Sequence, residues 1–459
     1  MTTITHLASR ALSFELDNDS KMTDTLSNCI VDSIGCALAG VTHPRYRELL
    51  ALAPVNPSGA VLIGTNKRTE PSSACVVNGF ATHVFDFDDD CYVGLHHPTT
   101  TVLPAMLATA SSSCIDGRRF MTALGAGIDA QCLASLSWSD AAYEQGWWNT
   151  ALLGGLGAAV ASARLLGLGQ HEMMHAMAAA LTNAHGLKTA FGTDQKALGV
   201  GRSARAGYEA ALLAQAGFTA PLNIFEATDG FLAARGLTSQ GPPTADTIEA
   251  TVSPLSVPGI AFKPWPVCNA GHAAIEAILE LRASDKFKSH EVSSITVEVL
   301  PFVRKCLQYD RPRTPSEAQF SLPFALATAI LSGGVTISDL DARNIERPDL
   351  VALMERVQVV VLDEVQGLSA DISNREGARV VVRKTDGICL SSTIAIALGQ
   401  TLRPLDSTGI DEKFLLNAAK TLSPRYAEQL LSSLRCLSDS LDIRRTFALC
   451  DPTACDVGR

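Results

Sequence analysis

The sequence predicts a mainly α protein, in which a large all-helical domain is built from both chain ends and a smaller α+β domain is inserted between them. Three observations support this fold class. The chain has 459 residues, more than the roughly 250–300 at which a single hydrophobic core stops growing. Helical periodicity dominates residues 23–217, whereas β-branched runs follow residue 260. We therefore expect a helical domain at residues 1–260 and 397–459 and an α+β domain at residues 261–396.

Helical periodicity is the strongest signal in the first half of the chain. Apolar residues recur there at intervals of three and four, which is the spacing of one buried helix face. Alanine, the best helix former, is unusually dense, and runs such as GGLGAAVASA let neighbouring helices approach closely. The predicted helices are residues 24–39, 102–113, 118–135, 154–166 and 171–184.

The pattern changes after residue 260. Short runs rich in valine and isoleucine, such as SITVEVLP, are typical of strands. The predicted strands are residues 294–301, 357–362 and 378–383, and the predicted helices are residues 270–282 and 316–331. A last helical stretch, residues 411–437, has periodic leucines, and we expect it to pack back on the first domain.

Composition excludes several classes of protein. The chain is 47% hydrophobic and 18% charged, with a formal net charge of −10, so it has ample core and lacks the basic surface that nucleic acid requires. Its 12 cysteines form no CxxC pair, which indicates reduced core residues. The amino terminus has no signal-peptide core, and the apolar run at residues 151–163 is too short to span a membrane. We expect a cytoplasmic protein without membrane or nucleic-acid partners.

The most unusual segment is Asp-Phe-Asp-Asp-Asp at residues 86–90, followed by Gly-Leu-His-His-Pro at residues 94–98. Four carboxylates within five residues repel one another unless water, cations or hydrogen-bond donors compensate them. With two histidines close behind, the segment offers a base, an orienting group and a field that shifts pKa values. A solvated acidic loop is the alternative interpretation.

A second motif, His-Glu-Met-Met-His at residues 171–175, matches HExxH. On a helix it would place His171 and His175 on one face as zinc ligands, with Glu172 as base and His185 as a third ligand. The motif directly follows Leu-Leu-Gly-Leu-Gly, where a helix begins, so the same residues are also explained as an exposed first turn. A zinc hydrolase is therefore an alternative from a different chemical class.

Two lysines lie in unusual surroundings. Lys196 is found among glycines in GTDQKALGVGR, and Lys263 lies in AFKPWPVCN, shortly before His272. Lysines next to glycine and proline are most often exposed loop residues. The functional interpretation is a carboxylate anchor, with Arg202 as a forked partner.

Taken together, these segments resemble the MmgE/PrpD family, which includes methylcitrate dehydratases, cis-aconitate decarboxylases and iminodisuccinate epimerases. The resemblance runs in order through most of the chain, and it rests on several independent motifs at compatible spacing. These motifs are DFDDD with HPT (86–99), AGIDA (126–130), GLGAA before LLGL (155–168), GRSARAG (201–207), AGFTAP (216–221) and KPWPVCNAGH (263–272).

The resemblance implies a large all-helical domain built from both chain ends, with an α+β lid domain between. It also implies a homodimer that works without a metal or organic cofactor, with its site in the cleft between the two domains. Position by position, Asp86, His97, Lys196 and Lys263 match polar residues of the family's pocket. His272 matches the histidine that ends the Lys-Pro-aromatic-Pro motif. We predict these five as the catalytic residues, and the resemblance argues against a zinc role for HExxH.

The sequence also departs from the family pattern. Asp90 replaces a usual threonine, Trp148 and Gly199 stand where many members have histidine, and Phe324 replaces a frequent tyrosine. Cys268, in contrast, is common at its position. These changes remove polar groups and add an indole, which suits an alkyl chain better than a further hydrated carboxylate.

We therefore predict a lyase that dehydrates a small polycarboxylate, namely 2-methylcitrate or a longer 2-alkylcitrate. The predicted substrate-binding residues are Asp90, Trp148, Arg202, Cys268 and Phe324. His97 would act as base or acid beside Asp86, the lysines would hold carboxylates, and Asp90 or His272 would protonate the departing hydroxyl. The alternatives are a cis-aconitate-type decarboxylase, an epimerase or isomerase of a small dicarboxylate, a zinc hydrolase and a non-catalytic binding protein.

Overall fold

The computed structural model describes residues 1–16, 20–368 and 375–453. Helices dominate these residues, and the mainly α fold class is confirmed. The helices are α1 (Thr3–Ser13), α2 (Ser20–Gly40), α3 (Pro44–Leu52), α4 (Pro71–His83), α5 (Thr99–Thr109), α6 (Gly117–Ser135), α7 (Ser139–Glu144), α8 (Asn149–Leu166), α9 (Gln170–Thr182), α10 (Asp194–Gln215), α11 (Ala245–Ala250), α12 (His272–Asp285), α13 (Pro301–Cys306), α14 (Pro315–Ala318), α15 (Leu322–Ser332), α16 (Ala342–Ile345), α17 (Pro348–Met354), α18 (Ser407–Ala418), α19 (Pro424–Arg435) and α20 (Ile443–Ala448).

The strands are short and form three sheets. They are β1 (Val55–Val61), β2 (Arg68–Thr69), β3 (Asp90–Cys91), β4 (Ile260–Ala261), β5 (Val292–Val299), β6 (Val357–Val361), β7 (Ala378–Lys384) and β8 (Cys389–Ile394). β1 pairs with β2, β3 pairs with β4, and the remaining four have the order β6-β5-β7-β8. β5 runs parallel to β6 and antiparallel to β7, and β7 runs antiparallel to β8.

Small residues explain why the amino-terminal helices lie so close together. α10 packs against both α8 and α4. A Cβ atom on Gly207 would lie 2.4 Å from the carbonyl oxygen of Gly155, and one on Gly79 would lie 2.7 Å from the Cα of Gly201. Since backbone atoms cannot move aside cheaply, these contacts require glycine.

The predicted elements are present, with two corrections to their bounds. The predicted helix 316–331 is two helices, α14 and α15, because Ser321 caps α15 and Pro323 falls in its first turn, the position where a helix tolerates proline. The predicted tail helix 411–437 is likewise divided into α18 and α19, and Pro424 begins the second. β1 to β4 and β8 were not predicted, and β1 to β3 lie within the residues that were expected to be all helical. The division into domains at residues 260 and 396 stays a prediction.

Helix length and hydropathy bear on whether the chain could span a membrane. Along the described ranges, no single helix is long and apolar enough to cross a membrane; the pair 21–40 and 44–52, bent by 91°, meets the length and composition criteria only when taken together.

Helix α18, in the last part of the chain, packs against α2, and a buried ion pair joins the two helices. Lys413 Nζ lies 2.6 Å from Asp32 Oδ1, and it also donates a hydrogen bond of 2.6 Å to the carbonyl oxygen of Phe87. Burial raises the pKa of Asp32, whereas the Lys413 ammonium group opposes that effect. One lysine thus connects both chain ends to the acidic segment.

We expect Lys413→Met to lower the free energy of unfolding by about 3–5 kcal/mol, because Asp32 would stay buried without its cation. Urea denaturation followed by circular dichroism measures the change. The double variant Lys413→Met/Asp32→Asn is the control, since it removes both charges, and it should recover much of the loss. A single variant as stable as the wild type would contradict this role.

Candidate active site

The acidic segment begins where α4 ends, and two local features fix its path. His83 is the last residue of α4, and Asp86 has a φ of +50°, a left-handed conformation that aspartate tolerates better than most residues. Asp90 then enters β3, which pairs antiparallel with β4. Because Lys263 lies two residues beyond β4, this pairing brings it to the acidic segment.

A carboxylate shared by two lysines forms the centre of the site. Asp86 Oδ1 lies 2.8 Å from Lys263 Nζ and 3.1 Å from Lys196 Nζ, and all three side chains are buried. Lys263 also donates a 2.9 Å hydrogen bond to the Asp86 carbonyl oxygen. Burial by itself would raise the pKa of Asp86, but the two ammonium groups outweigh it and hold that pKa well below its usual value. Asp86 is therefore ionised.

His83 connects this cluster to a second buried carboxylate. Its Nδ1 lies 2.8 Å from Asp88 Oδ1, and its Nε2 lies 2.6 Å from Lys196 Nζ. Burial lowers the pKa of His83, so the ring is neutral. Burial would raise the pKa of Asp88, but His83 and, to a smaller extent, His97 outweigh this effect, so that the pKa is lowered. Since ionised Asp88 only accepts, His83 carries its proton on Nδ1 and accepts from Lys196 through Nε2.

His97 is held so that one ring nitrogen is free for chemistry. Its Nδ1 lies 2.9 Å from the carbonyl oxygen of Asp89, which can only accept, so Nδ1 carries the proton. Its backbone N–H donates to the hydroxyl of Thr150 at 3.0 Å. Nε2 lies 3.7 Å from Asp86 Oδ1. Burial lowers the pKa of His97 well below its usual value, so Nε2 bears a lone pair at neutral pH.

Asp86, His97, Lys196 and Lys263 line one small cavity. Its lining comes from several distant segments of the chain. The lining residues are Asp86, Asp90, Tyr92, Leu95, His97, Tyr143, Trp148, Phe191, Lys196, Lys263, Cys268, Asn269, Ala270, Phe302, Cys306, Phe320 and Glu376.

Two further carboxyl groups line the same cavity. Burial raises the pKa of Asp90 to about 7; Lys263 opposes this rise, while Glu376 adds to it. Burial also raises the pKa of Glu376, against the effect of a hydrogen bond from Tyr92. That bond joins Tyr92 Oη to Glu376 Oε2 at 2.5 Å. The cavity thus combines a cationic side with a side made of carboxyl groups.

Aromatic side chains enclose Lys196. Its Nζ lies 4.9 Å from the ring centroid of Trp148, 5.5 Å from that of Phe191 and 5.4 Å from that of Phe320. The Trp148 ring also stacks on His83, with centroids 5.4 Å apart. Such faces attract a desolvated ammonium group. They give the cavity an apolar wall beside its cations.

Seven predicted site residues are brought together at this cavity. They are Asp86, Asp90, His97, Trp148, Lys196, Lys263 and Cys268. The other three do not line it. Arg202 is exposed on α10, where it donates to Gln195. Phe324 is fully buried in α15. His272 is fully buried at the start of α12, and its Nε2 lies 3.2 Å from the Val267 carbonyl oxygen.

The HExxH motif occupies the first turns of α9, away from this cavity. His175 is largely buried, and its Nδ1 lies 3.0 Å from the backbone nitrogen of Ala220. In the part of the chain that the structure describes, the side chains close enough to share one metal ion are instead His83, Asp86, Asp88 and His97. Two ammonium groups already contact Asp86 there, and their charges oppose a divalent cation.

Sequence reasoning missed several residues of the site. His83 precedes Asp86 by three residues, so its place at the helix end beside the acidic segment was a usable signal. No sequence signal marked Glu376, because it follows no recognisable motif and lies far along the chain from Asp90. The aromatic lining residues Phe191 and Phe320 were equally indistinguishable from core residues.

Comparison with known proteins supports the resemblance noted above. The MmgE/PrpD N-terminal domain model matches residues 5–241, and the MmgE/PrpD C-terminal domain model matches residues 265–439. Cis-aconitate decarboxylase of Homo sapiens is 26% identical over 90% of this chain and 87% of its own length.

Two further relatives come from a fungus and a bacterium. Cis-aconitate decarboxylase-like protein oryM of Aspergillus oryzae is 26% identical over 92% of this chain and 91% of its own. 2-methylcitrate dehydratase of Cupriavidus necator is 23% identical over 93% of this chain and 90% of its own length. Since the two domain models together span most of the sequence, this chain belongs to the MmgE/PrpD family.

Proposed function

We propose that this protein is a lyase that removes water from a citrate-like acid with an apolar substituent, namely 2-methylcitrate or a longer 2-alkylcitrate. One observation carries the proposal: two lysines, a neutral histidine and a carboxyl group with a raised pKa face one small cavity. Lys196 and Lys263 share a single carboxylate, Asp86, so that contact does not neutralise both ammonium groups, and they can also bind a substrate carboxylate. A buried ammonium group binds such an anion far more strongly than it would in water.

The chemical step divides between His97 and Asp90. His97 Nε2 takes a proton from the carbon next to a substrate carboxylate, and the released electron pair forms the double bond as the carbon–oxygen bond breaks. Asp90, with a pKa of about 7, gives its proton to the departing hydroxyl, which leaves as water. The proton on His97 then returns to Asp90 by way of water, so the enzyme is unchanged after each turnover.

The substituent would lie against the aromatic wall. Trp148 replaces a smaller polar residue of the family pattern, and Gly199 leaves the room for it: a Cβ atom on Gly199 would lie 3.2 Å from Trp148 Cζ3. Trp148 also separates the cavity from an outer pocket that Gly199 and Arg202 line. The indole and the glycine thus act as a pair that shapes the apolar side of the cavity.

A decarboxylase is the second candidate, because several relatives are named cis-aconitate decarboxylase. In that reaction the bond between carbon and carboxylate breaks, carbon dioxide leaves, and the electron pair stays on carbon. Asp90 would give its proton to that carbon and regain one from solvent. The lysines would serve both reactions, whereas only dehydration needs His97 as a base.

A substrate panel in deuterated water, followed by mass spectrometry, tests the proposal. We expect loss of water from 2-methylcitrate and longer 2-alkylcitrates, at rates above that for unsubstituted citrate. Loss of carbon dioxide from cis-aconitate would favour the decarboxylase. Deuterium uptake without a change of skeleton would favour an epimerase, and binding without turnover would indicate a non-catalytic protein. Any of the last three outcomes, without dehydration, would refute the proposal.

We expect His97→Gln to lower the dehydration rate by about 10²- to 10⁴-fold, the usual contribution of one positioned acid or base. His96→Gln is the matched control. The neighbouring His96 ring points towards Cys132, with Nε2 3.9 Å from Sγ, and it does not line the cavity. Equal losses in the two variants would remove His97 from the mechanism.

Gly199→Ala should perturb the aromatic wall, although alanine in a helix is ordinarily favoured over glycine by about 1 kcal/mol. The new methyl group must displace the Trp148 ring, so we expect kcat/KM to fall most for the longest 2-alkylcitrates. Gly155→Ala is the control, because its nearest neighbours would lie at an ordinary 3.6 Å. Unchanged chain-length preference in Gly199→Ala would contradict the proposed pairing.

A further inference from the structure

Glu376 is a buried carboxyl group that the proposed reaction leaves without a task. It lies two residues before β7, is 7% exposed, and lines the same cavity as Asp90. The two residues reach the cavity from distant parts of the chain. Acidic groups are expensive to bury in pairs, since two neighbouring negative charges repel each other in a poorly solvated site. Their hydrogen bonds show how this pair is tolerated.

Three donors converge on one oxygen of Glu376. Tyr92 Oη donates to Oε2 at 2.5 Å, Gln400 Nε2 at 2.8 Å and Asn269 Nδ2 at 3.5 Å. Burial raises the pKa of Tyr92 well above its usual value, so its hydroxyl keeps its proton and remains a donor. A carboxylate that accepts several hydrogen bonds is stabilised in its ionised form.

Asp90 has the opposite surroundings. Within the described ranges no backbone or side-chain donor contacts its carboxyl group, although Tyr92, two residues further on, donates to Glu376. Lys263 is the cation that favours its ionised form, and the carboxylates of Glu376, Asp86 and Asp88 disfavour it. Burial raises the pKa of both carboxyl groups, but only Glu376 has hydrogen-bond donors that favour its ionised form, and this difference assigns the proton of the pair to Asp90.

We propose that Glu376 is a positioning residue for Asp90: it carries the negative charge of the pair, and thereby keeps Asp90 protonated as the acid of the reaction. This inference rests on the proposed function, because it assigns Asp90 the task of protonating the leaving group. Glu376 itself neither gains nor loses a proton in the step. After each turnover the negative charge of Glu376 favours reprotonation of Asp90, because otherwise two neighbouring carboxylates would both stay ionised.

The direction of the pH effect follows from the charges. Asp90 acts in its protonated form, so activity falls as the pH rises through its pKa of about 7. Removing the negative charge of Glu376 makes ionisation of Asp90 easier. The high-pH limb of the activity profile should then move to lower pH. Arg375 and Lys263 also act on Glu376, and they favour its ionised form.

The test compares the pH dependence of kcat for a 2-alkylcitrate in the wild type, Glu376→Gln, Tyr92→Phe and Asp90→Asn. Glu376→Gln keeps the shape and removes the charge, and we expect its high-pH limb to shift down by roughly one pH unit. Tyr92→Phe removes one donor but keeps both carboxyl groups, so its limb should stay nearer that of the wild type. Thermal unfolding establishes that each variant is folded.

The outcomes separate this inference from the proposed function. If Glu376→Gln lowers kcat equally at every pH, Glu376 has only a structural role and the inference is overturned. If Glu376→Gln does not fold, Tyr92→Phe decides. A high-pH limb that shifts in Tyr92→Phe by as much as the loss of a whole charge would cause overturns the inference as well. If Asp90→Asn retains both its rate and the high-pH limb, Asp90 is not the acid, and the proposed division of the reaction fails first.

Discussion

The contact between Asp86 and two buried lysines is the interaction on which the site depends. Neither partner is stable alone in this position, because an unpaired buried charge is strongly destabilising. Lys196 comes from α10 and Lys263 from the segment after β4, so the carboxylate gathers two distant parts of the chain at 3.1 and 2.8 Å. Asp86 does so in a left-handed conformation with a φ of +50°. The surrounding contacts must therefore compensate the buried charge of Asp86 and also stabilise its left-handed backbone conformation.

The four carboxyl groups of the acidic segment are tolerated because each has different partners. Asp86 pairs with lysines, and Asp88 accepts from His83. Asp89 accepts a 2.6 Å hydrogen bond from Thr99, and burial raises its pKa well above its usual value. Asp90 has no such donor among the described residues and faces the cavity. These different partners separate four like residues into two ionised groups and two with raised pKa values.

The elements that could be predicted from the sequence are those with the most regular local patterns. Helices such as α6 and strands such as β5 were found because their periodicity is regular, whereas β8, whose sequence CLSSTI is half polar and does not alternate, gave little β signal. Proline positions decided the two helix breaks, and the sequence contained that information. The acidic segment was likewise recognisable as a site from the sequence alone, because its carboxylates and histidines are contiguous.

The same reasoning placed three residues at the cavity that lie elsewhere. Lys263 and Cys268 face the cavity, but the motif then enters α12, and its first turn directs His272 into the core. Neighbours in a motif need not share a face once the backbone changes from loop to helix. Glu376 shows the converse, because it joins the site through tertiary contacts alone. Such residues have no local signature that a single sequence can reveal.

The position of the carboxylates around His97 bears on how the site can accelerate proton removal. At rest the ring is neutral, and its interactions with Asp86 at 3.7 Å and Asp88 at 3.5 Å are weak. In the proposed reaction His97 takes a proton, and the ring would then become cationic between two ionised carboxylates, so that both interactions would strengthen. Groups that stabilise a charge only as it develops lower the barrier, whereas groups that bind the resting state equally well do not. The lysines and His83 offset the cost of burying these carboxylates, and the carboxylates thus place preorganised negative charge where the proposed reaction would generate positive charge.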